Sequence, residues 1–366
     1  MAGSTFGNIF KITTWGESHG KGVGVVVDGC PAGLPLTEAD IQKYLDRRKP
    51  GQSRYTTPRK EDDAVEILSG IFEGKTTGTP ISMIVYNKTQ RSKDYSEIAN
   101  YYRPGHADLT YDLKYGFRDY RGGGRSSGRE TIARVAAGAI ACKILEELGV
   151  RILTYTKSIG PINTNPENFD PEEILRNPFY MPDAQAAEQT AAYIEQCMRA
   201  QDSSGGLIEC VITGVKPGIG DPAFEKLSAN LAKAICSIGA VKGFEIGDGM
   251  AVAKANGSGN NDPYEMSPEG EIVKRTNHSG GILGGISDGS PIILRAAIKP
   301  TASISREQST VTKDGRSVQV QVKGRHDPII VPRAVVVVES MAALTVLDMM
   351  FSSINSNMEN LIRFFS

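Results

Sequence analysis

The strongest chemical signal in the sequence is the nine-residue run Arg121-Gly-Gly-Gly-Arg-Ser-Ser-Gly-Arg129. Glycines let main-chain N–H groups come close to a ligand, arginines offer charge-assisted donors, and a helix starting directly afterwards adds the positive end of its dipole. The run therefore reads as a cradle for phosphate or another anion, with a loop of solvated arginines as the plain alternative. It lacks the Lys-Ser/Thr ending of a nucleotide P-loop and the G-x-G-x-x-G spacing of a dinucleotide-binding turn. A second basic block, Arg47, Arg48, Lys49, Arg54, Arg59 and Lys60, spans the end of a predicted helix and the loop after it; part of it serves simply as cations favoured at a helix C-terminus. Among the four histidines, His19 in Gly16-Glu-Ser-His-Gly20 and His106 in Arg103-Pro-Gly-His-Ala-Asp108 sit in tight turns able to present an imidazole as a proton donor at neutral pH. Lone histidines are more often structural. The run Gly324-Arg-His-Asp-Pro-Ile-Ile-Val-Pro-Arg333 brings Asp327 near Arg333, which on its own is an ordinary ion pair. No H-E-x-x-H, Cys/His or EF-hand spacing points to a metal, and no G-x-S-x-G elbow points to a serine nucleophile.

These segments need elements to hold them. The chain has 366 residues, 40% hydrophobic and 23% charged, which is ordinary globular composition. Lys plus Arg number 41 against 42 Asp plus Glu, so no long-range cationic field favours nucleic acid or an anionic membrane, and binding to either is not expected. The five cysteines are scattered and never spaced C-x-x-C, as in a reduced protein. No secretory or transit signal is visible, and the aliphatic runs at 23–27 and 334–338 fall short of the ~20 residues of a membrane span. The expected location is cytoplasmic.

Period-2 patterns predict strands at 23–28, 65–69, 81–86, 208–213, 291–298 and 318–322. Longer patterns predict a helix capped by Thr37 with Asp40 and running to Arg48, and others at 129–148, 184–200, 223–236 and 335–351. In the 129–148 helix, Ala133, Ala136, Ala137, Gly138, Ala139 and Ala141 leave so little side chain that it must pack closely against another element. Only 257–268 and 306–315 look loose, so residues 1–366 are expected to form one domain. Val-Val-Asp-Gly-Cys-Pro-Ala-Gly-Leu (26–34) echoes Val-Ile-Thr-Gly-Val-Lys-Pro-Gly-Ile (211–219), aligning Gly29 with Gly214 and Gly33 with Gly218 and hinting at a duplicated β-turn-α unit. The expected class is α/β (α+β), built in layers.

Taken together, the blocks resemble the chorismate synthase family. The four segments quoted above, with Ser237-Ile-Gly-Ala-Val-Lys-Gly-Phe-Glu-Ile-Gly-Asp248, Asn277-His-Ser-Gly-Gly-Ile-Leu-Gly-Gly285 and Lys299-Pro-Thr-Ala-Ser303, are similar to the family's signature blocks in order and spacing, from Gly7 to about Met341. Gly128 and Gly239 depart from the family's usual alanine and asparagine. The resemblance implies a layered β-α-α-β sandwich with an internal duplication, and a homotetramer. It also implies a lyase of aromatic amino-acid biosynthesis that uses reduced FMN to eliminate phosphate from 5-enolpyruvylshikimate 3-phosphate, giving chorismate. NADPH enters only indirectly, as a source of flavin electrons through a separate flavin reductase. Carried over by position, His19 resembles the acid for the departing phosphate, His106 the histidine that protonates flavin, and Asp327 the acid near the flavin that helps the C6 proton leave. Arg48, Arg54, Arg129 and Arg333 match substrate positions, Arg48 and Arg54 also positions sometimes assigned to a nicotinamide nucleotide. Arg125, Ser126, Ser127, Gly239, Ala240, Gly284, Lys299, Pro300, Thr301, Ala302, Ser303 and Arg325 match cofactor positions. The rival readings are a bifunctional enzyme that reduces its own flavin with NADPH and a noncatalytic flavin- or anion-binding protein.

Overall fold

A computed structural model of the chain describes residues 3–57, 61–88, 97–322 and 327–366. In the first half, β-branched and alternating runs give β1 (Thr5–Phe6), β2 (Lys11–Gly16) and β3 (Gly22–Asp28), then helix α1 (Glu38–Arg48). The strand β4 (Val65–Ile67), the hairpin β5 (Ile71–Phe72) and β6 (Lys75–Thr76), and the strand β7 (Ile81–Tyr86) follow. Five of these strands form an antiparallel sheet in the order β1-β2-β3-β7-β4. Helices α2 (Asp108–Tyr115) and α3 (Thr131–Glu147) lead into the second half. There β8 (Arg151–Ile159), β9 (Ile162–Asn163), α4 (Ala184–Arg199), β10 (Gly206–Thr213), α5 (Leu227–Cys236) and β11 (Val241–Ile246) precede the short α6 (Gly257–Asn260). The hairpins β12 (Tyr264–Met266) with β13 (Ile272–Lys274) and β14 (Ile282–Leu283) with β15 (Ile286–Ser287) come next, then β16 (Ile292–Ile298) and a third hairpin, β17 (Glu307–Val311) with β18 (Ser317–Gln321). Helices α7 (Val331–Ser352) and α8 (Met358–Phe365) end the chain. The second sheet runs β11-β16-β10-β8-β9.

Each sheet turns one face to a pair of helices. Helices α1 and α3 lie on the first sheet and α5 and α7 on the second, while α3 packs against α7, giving four layers around one continuous apolar core. Small residues along α3 permit that crossing: a Cβ at Gly138 would lie 2.2 Å from Ser340 Cβ and 2.7 Å from Ser340 Cα, so only glycine fits. Helix α7 is apolar enough and long enough to cross a membrane, yet most of its length is buried inside the protein as the central core helix.

The echo in the sequence corresponds to a structural repeat. After β3, Gly29 takes φ +80° where a Cβ would strike Ile9 O; after β10, Gly214 takes φ +81° where a Cβ would strike Gly149 O. Gly33 N donates to Thr76 O (2.8 Å) and Gly218 N to Ser287 O (2.9 Å). Thr76 Oγ1 donates to Pro31 O (2.6 Å) and Ser287 Oγ to Lys216 O (2.7 Å), and the same hydroxyls accept from Leu34 N (3.0 Å) and Ile219 N (2.9 Å). Strand, Gly-Pro turn and supporting hairpin thus recur with equivalent hydrogen bonds.

Two expectations need correction. The stretches 257–268 and 306–315 are not loose: α6 and β12 occupy much of the first and β17 the second, and β12 pairs with β13 and β17 with β18 in hairpins that have no buried residue to mark them in the sequence. The helix expected at 223–236 begins only at Leu227.

Candidate active site

Three successive glycines in left-handed backbone, Gly122 (φ +70°), Gly123 (+80°) and Gly124 (+52°), turn the chain sharply after Arg121. Two 3-10 turns, Gly124–Ser126 and Gly128–Glu130, then feed directly into α3. The N-terminal residues of that helix and the turns before it form one wall of a cleft of about 1410 Å³. The cleft is also lined by the 103–107 turn, Gly239 and Ala240 after α5, residues 299–303 after β16, and Asp327 and Arg333 at the start of α7. Nine described lining residues are Lys or Arg against four Asp or Glu, in a chain whose net charge is −1.

The arginines are held individually. Arg48 is buried, its side chain 3% exposed: Nε donates to Thr131 Oγ1 (3.0 Å), one terminal nitrogen to Asp63 (2.7 Å) and the other to Gly128 O (2.9 Å). Burial lowers its pKa to about 10, with the Arg333 and Arg129 charges acting the same way and Asp63 opposing; it stays charged at neutral pH. Asp63, whose side chain is 0% exposed and whose backbone is left-handed (φ +46°), also pairs with Arg129 at 3.0 Å. Arg129 further pairs with Glu61, and its Nε donates to Asn87 Oδ1. Arg333 donates to Asp327 (2.9 Å) and to Arg48 O (3.0 Å), and Asp327 accepts from Thr57 N (2.8 Å). Arg125 reaches away from the 3-10 turn to Thr14 Oγ1 (2.6 Å) and Gly16 O (3.2 Å) on β2.

Cations of a different kind line the cleft as well. Lys233, Lys242 and Lys299 line the cleft and form no ion pair with the described residues. Burial and the neighbouring Lys242 pull the Lys299 pKa down, while its Nζ donates to Gly105 O (2.7 Å). Ala240 adopts φ +73°, a conformation costly to a residue with a Cβ and typical of ligand clamps, and its carbonyl accepts from Lys299 N (2.9 Å). Beside it, a Cβ at Gly239 would meet nothing within 4 Å. His106 also lines the cleft. Its Nδ1 lies 3.0 Å from Pro104 O, which can only accept, so the proton sits on Nδ1 and Nε2 accepts from Ser303 Oγ at 2.9 Å. Burial and the Arg103 charge lower its pKa, keeping the ring neutral near pH 7. The turn is itself braced by Arg103, which donates from N (3.0 Å), Nε (2.8 Å) and a terminal nitrogen (2.8 Å) to buried Asp108.

Likeness in sequence and in fold decides the family. The family profile described as "Chorismate synthase" matches residues 10–351. The chain belongs to the chorismate synthase family. Among the relatives named chorismate synthase, that of Agathobacter rectalis is 66% identical over 365 residues, covering 100% of this chain and 99% of the other. That of Lachnospira eligens is 67% identical, with 100% of each chain covered, and that of the archaeon Methanocella arvoryzae 55%, covering 96% and 95%. A crystal structure of chorismate synthase superposes with a TM-score of 0.76 at 31% identity, covering 98% of this chain and 97% of that one. The chorismate synthase family is one of lyases in aromatic amino-acid biosynthesis, and the mixed α+β architecture agrees with its fold.

The cleft brings together His106, Asp327, Arg48, Arg129, Arg333, Arg125, Ser126, Ser127, Gly239, Ala240, Lys299, Pro300, Thr301, Ala302 and Ser303. It does not take in Arg54, whose side chain is 72% exposed and pairs with Glu195 (2.6 Å) while lying over the Tyr55 ring. Nor does it take in Gly284, which sits in the β14–β15 hairpin. His19 stands just behind the wall: a Cβ at Gly122 would come within 2.2 Å of its Cε1, and Ser18 Oγ, which donates to Gly122 O (3.2 Å), lies 3.1 Å from its Nδ1. Arg325 falls outside the described residues.

Several participants escaped the sequence reading. Arg134, in the cleft lining and with its Nε donating to both Glu130 carboxylate oxygens (3.0 and 2.9 Å), was legible as the one charged residue among the small apolar residues of α3 between Thr131 and Cys142. Glu61 and Asp63 were legible as the acids that follow the basic block at once. Lys233 and Lys242 carried no signal beyond their charge.

Proposed function

We propose that the protein converts 5-enolpyruvylshikimate 3-phosphate to chorismate by anti 1,4-elimination of phosphate, with reduced FMN as cofactor. The observation that carries this reading is the surplus of cations, nine against four acids, in a single cleft of a chain that is otherwise near neutral. The cleft's 1410 Å³ exceeds the roughly 300–1,000 Å³ typical of one small ligand, which suits two anions side by side.

The residues present fit a flavin phosphate. Lys299 and Lys242 offer positive charge without an ion-pair partner among the described residues, Gly239 leaves open space at the wall, and Ala240 holds a clamp-like backbone. Arg125, Ser126, Ser127, Gly239, Ala240 and residues 299–303 would hold it, with His106 in the same cleft. When bound, the reduced flavin would lend electron density that weakens the substrate C–O bond and recover it, with no net redox change.

The chain's own residues do the rest. Arg129, Arg333 and Arg48 hold the substrate's phosphate and carboxylates, a task for which the planar, bidentate guanidinium is better suited than an ammonium. His19 gives a proton to the departing phosphate at C3, and Asp327 helps the C6 proton leave, so one proton is delivered as another is lost. His106, neutral with its proton on Nδ1, keeps Nε2 as a single acceptor toward Ser303 and can take up or return a proton there. A homotetramer, a cytosolic location and an outside supply of reduced flavin complete the reading.

The test is anaerobic: substrate and reduced FMN are mixed with the protein and chorismate absorbance is followed. Product formation, with losses of at least ~100-fold in His19→Ala and Asp327→Ala, is expected. Absence of product overturns the reading and leaves a binder, unchanged phosphate release in both variants overturns the catalytic roles of His19 and Asp327, and sustained NADPH oxidation with oxidised FMN makes the protein bifunctional.

A further inference from the structure

The ladder between β3 and β7 ends on the pair Gly22 and Tyr86, and the next residue continues it: Asn87 N donates to Lys21 O at 3.0 Å. That register sets the Asn87 side chain beside the β2–β3 connection, the turn that carries His19. Its Nδ2 donates twice into the turn, to Glu17 O at 2.8 Å and to Gly20 O at 2.8 Å. Its Oδ1 accepts from Arg129 Nε. The reverse amide orientation would face an oxygen toward two carbonyls and an N–H₂ toward a guanidinium N–H, so the assignment is fixed by chemistry.

We propose that Asn87 is a positioning residue that couples the arginine holding the substrate anion to the turn presenting the proton donor; this rests on the roles given above to Arg129 and His19. Only a short side chain with two donors and one acceptor can make all three bonds. Aspartate keeps the bond to Arg129 but sets a carboxylate against two carbonyls, lysine cannot accept, and glutamine is one methylene too long. Arg129 keeps Glu61 and Asp63 whatever happens at position 87, so its grip on an anion does not depend on Asn87 alone. In the turn, Asn87 supplies two main-chain carbonyls with their donors, beside the longer bonds of Gly20 N to Glu17 O (3.2 Å) and Ser18 Oγ to Gly122 O (3.2 Å). Loss of Asn87 therefore misplaces the proton donor more than the anion site.

Two variants separate the halves of the bridge. Asn87→Asp preserves shape and the Arg129 contact while removing both donors to the turn; Asn87→Ala removes everything. For Asn87→Asp, kcat in the anaerobic assay should fall roughly 10- to 100-fold, the cost of a displacement on the order of 1 Å, with KM within ~3-fold of the parent. The double variant His19→Ala/Asn87→Asp should be no slower than His19→Ala. The second readout needs no turnover: with 13C-labelled histidine, four ring signals are expected, His19→Ala assigns one, and Asn87→Asp should shift that signal and its titration midpoint while the His106 signal stays in place. Losses that multiply in the double variant, an unmoved His19 signal, or both variants failing to fold would overturn the proposal. If the parent protein forms no chorismate, the functional reading fails, and the ring signals still decide the coupling.

Discussion

Asp63→Asn isolates one charge inside the protein. Asp63 has no exposed side-chain surface, bridges Arg48 (2.7 Å) and Arg129 (3.0 Å), and sits at φ +46°. Asparagine tolerates that left-handed backbone about as well as aspartate, so the substitution leaves the backbone alone; it removes the negative charge and sets an N–H₂ where one of the two acceptor oxygens met a guanidinium. Arg129 would keep Glu61. Arg48, 3% exposed, would keep Thr131 Oγ1 and Gly128 O but no anion. Leaving one partner of a buried pair uncompensated costs about 3–5 kcal/mol, and the two remaining acceptors reduce this to an expected ~3 kcal/mol. Thermal unfolding should then move down by roughly 4–10 °C. Asp63→Ala should lose a further ~1 kcal/mol, because alanine is strained in the left-handed region. In Arg48→Met/Asp63→Asn the destabilisation should fall short of the sum of the singles by at least ~1 kcal/mol, since the stranded cation is gone. Scanning calorimetry on the four proteins is the assay. An Asp63→Asn protein that melts within a degree of the parent, or singles that add, would refute the idea that Asp63 is the counterion on which the buried arginine depends.

Gly138→Ala should destabilise by about 1–3 kcal/mol despite alanine's better helix propensity, because the new methyl meets the backbone and Cβ of Ser340 at the α3–α7 crossing; chemical denaturation reads it, and an unchanged midpoint would show that the helices separate freely. Gly122→Ala should push the His19 ring aside and lower turnover at least ~10-fold in the anaerobic assay while the protein still folds cooperatively, and full activity would place His19 outside the reaction. His106 has a lowered pKa from burial and Arg103, so the folded state binds its proton less readily than the unfolded state. The associated stability is present above the unfolded pKa of ~6.5 and is lost as pH falls below it. Between pH 7.5 and 5, the melting temperature of the parent should therefore drop more than that of His106→Asn, and equal drops would argue against the lowered pKa.

The parts of the molecule legible in the sequence were those set by local rules. Thr37 and Asp40 form the capping box they spell out, Gly122 to Gly124 take the left-handed turn that only glycine permits cheaply, and the Gly29/Gly214 echo becomes a repeated set of turn hydrogen bonds. Strands β2, β8 and β11 were not legible, because Thr, Lys, Ser and Gly interrupt their alternation and tertiary pairing alone makes them strands. Helix α2 was hidden for another reason: it is eight residues long, its Leu109, Leu113 and Tyr115 are exposed, and only Asp108 is buried. The arrangement at Arg48 was beyond local reading too, since its partners lie 15 and 80 residues away, at Asp63 and Gly128.

That distance also separates two kinds of acid in the cleft. Asp63 is fully enclosed and absent from the lining, so a ligand cannot reach it and it fixes the direction of Arg48 and Arg129 permanently. Glu61 and Asp327, with side chains 12% and 16% exposed, do line the cleft, against Arg129 and Arg333. An anion bound as proposed would compete with these two and not with Asp63. The arginines therefore need not be reoriented when a ligand binds; only the exposed carboxylates must yield, and the loss of one ion pair is offset by the gain of another with the same guanidinium. Such an exchange keeps the charge of the protein interior nearly constant, which explains how a chain of net charge −1 can maintain a strongly cationic cleft without paying for unpaired buried arginines.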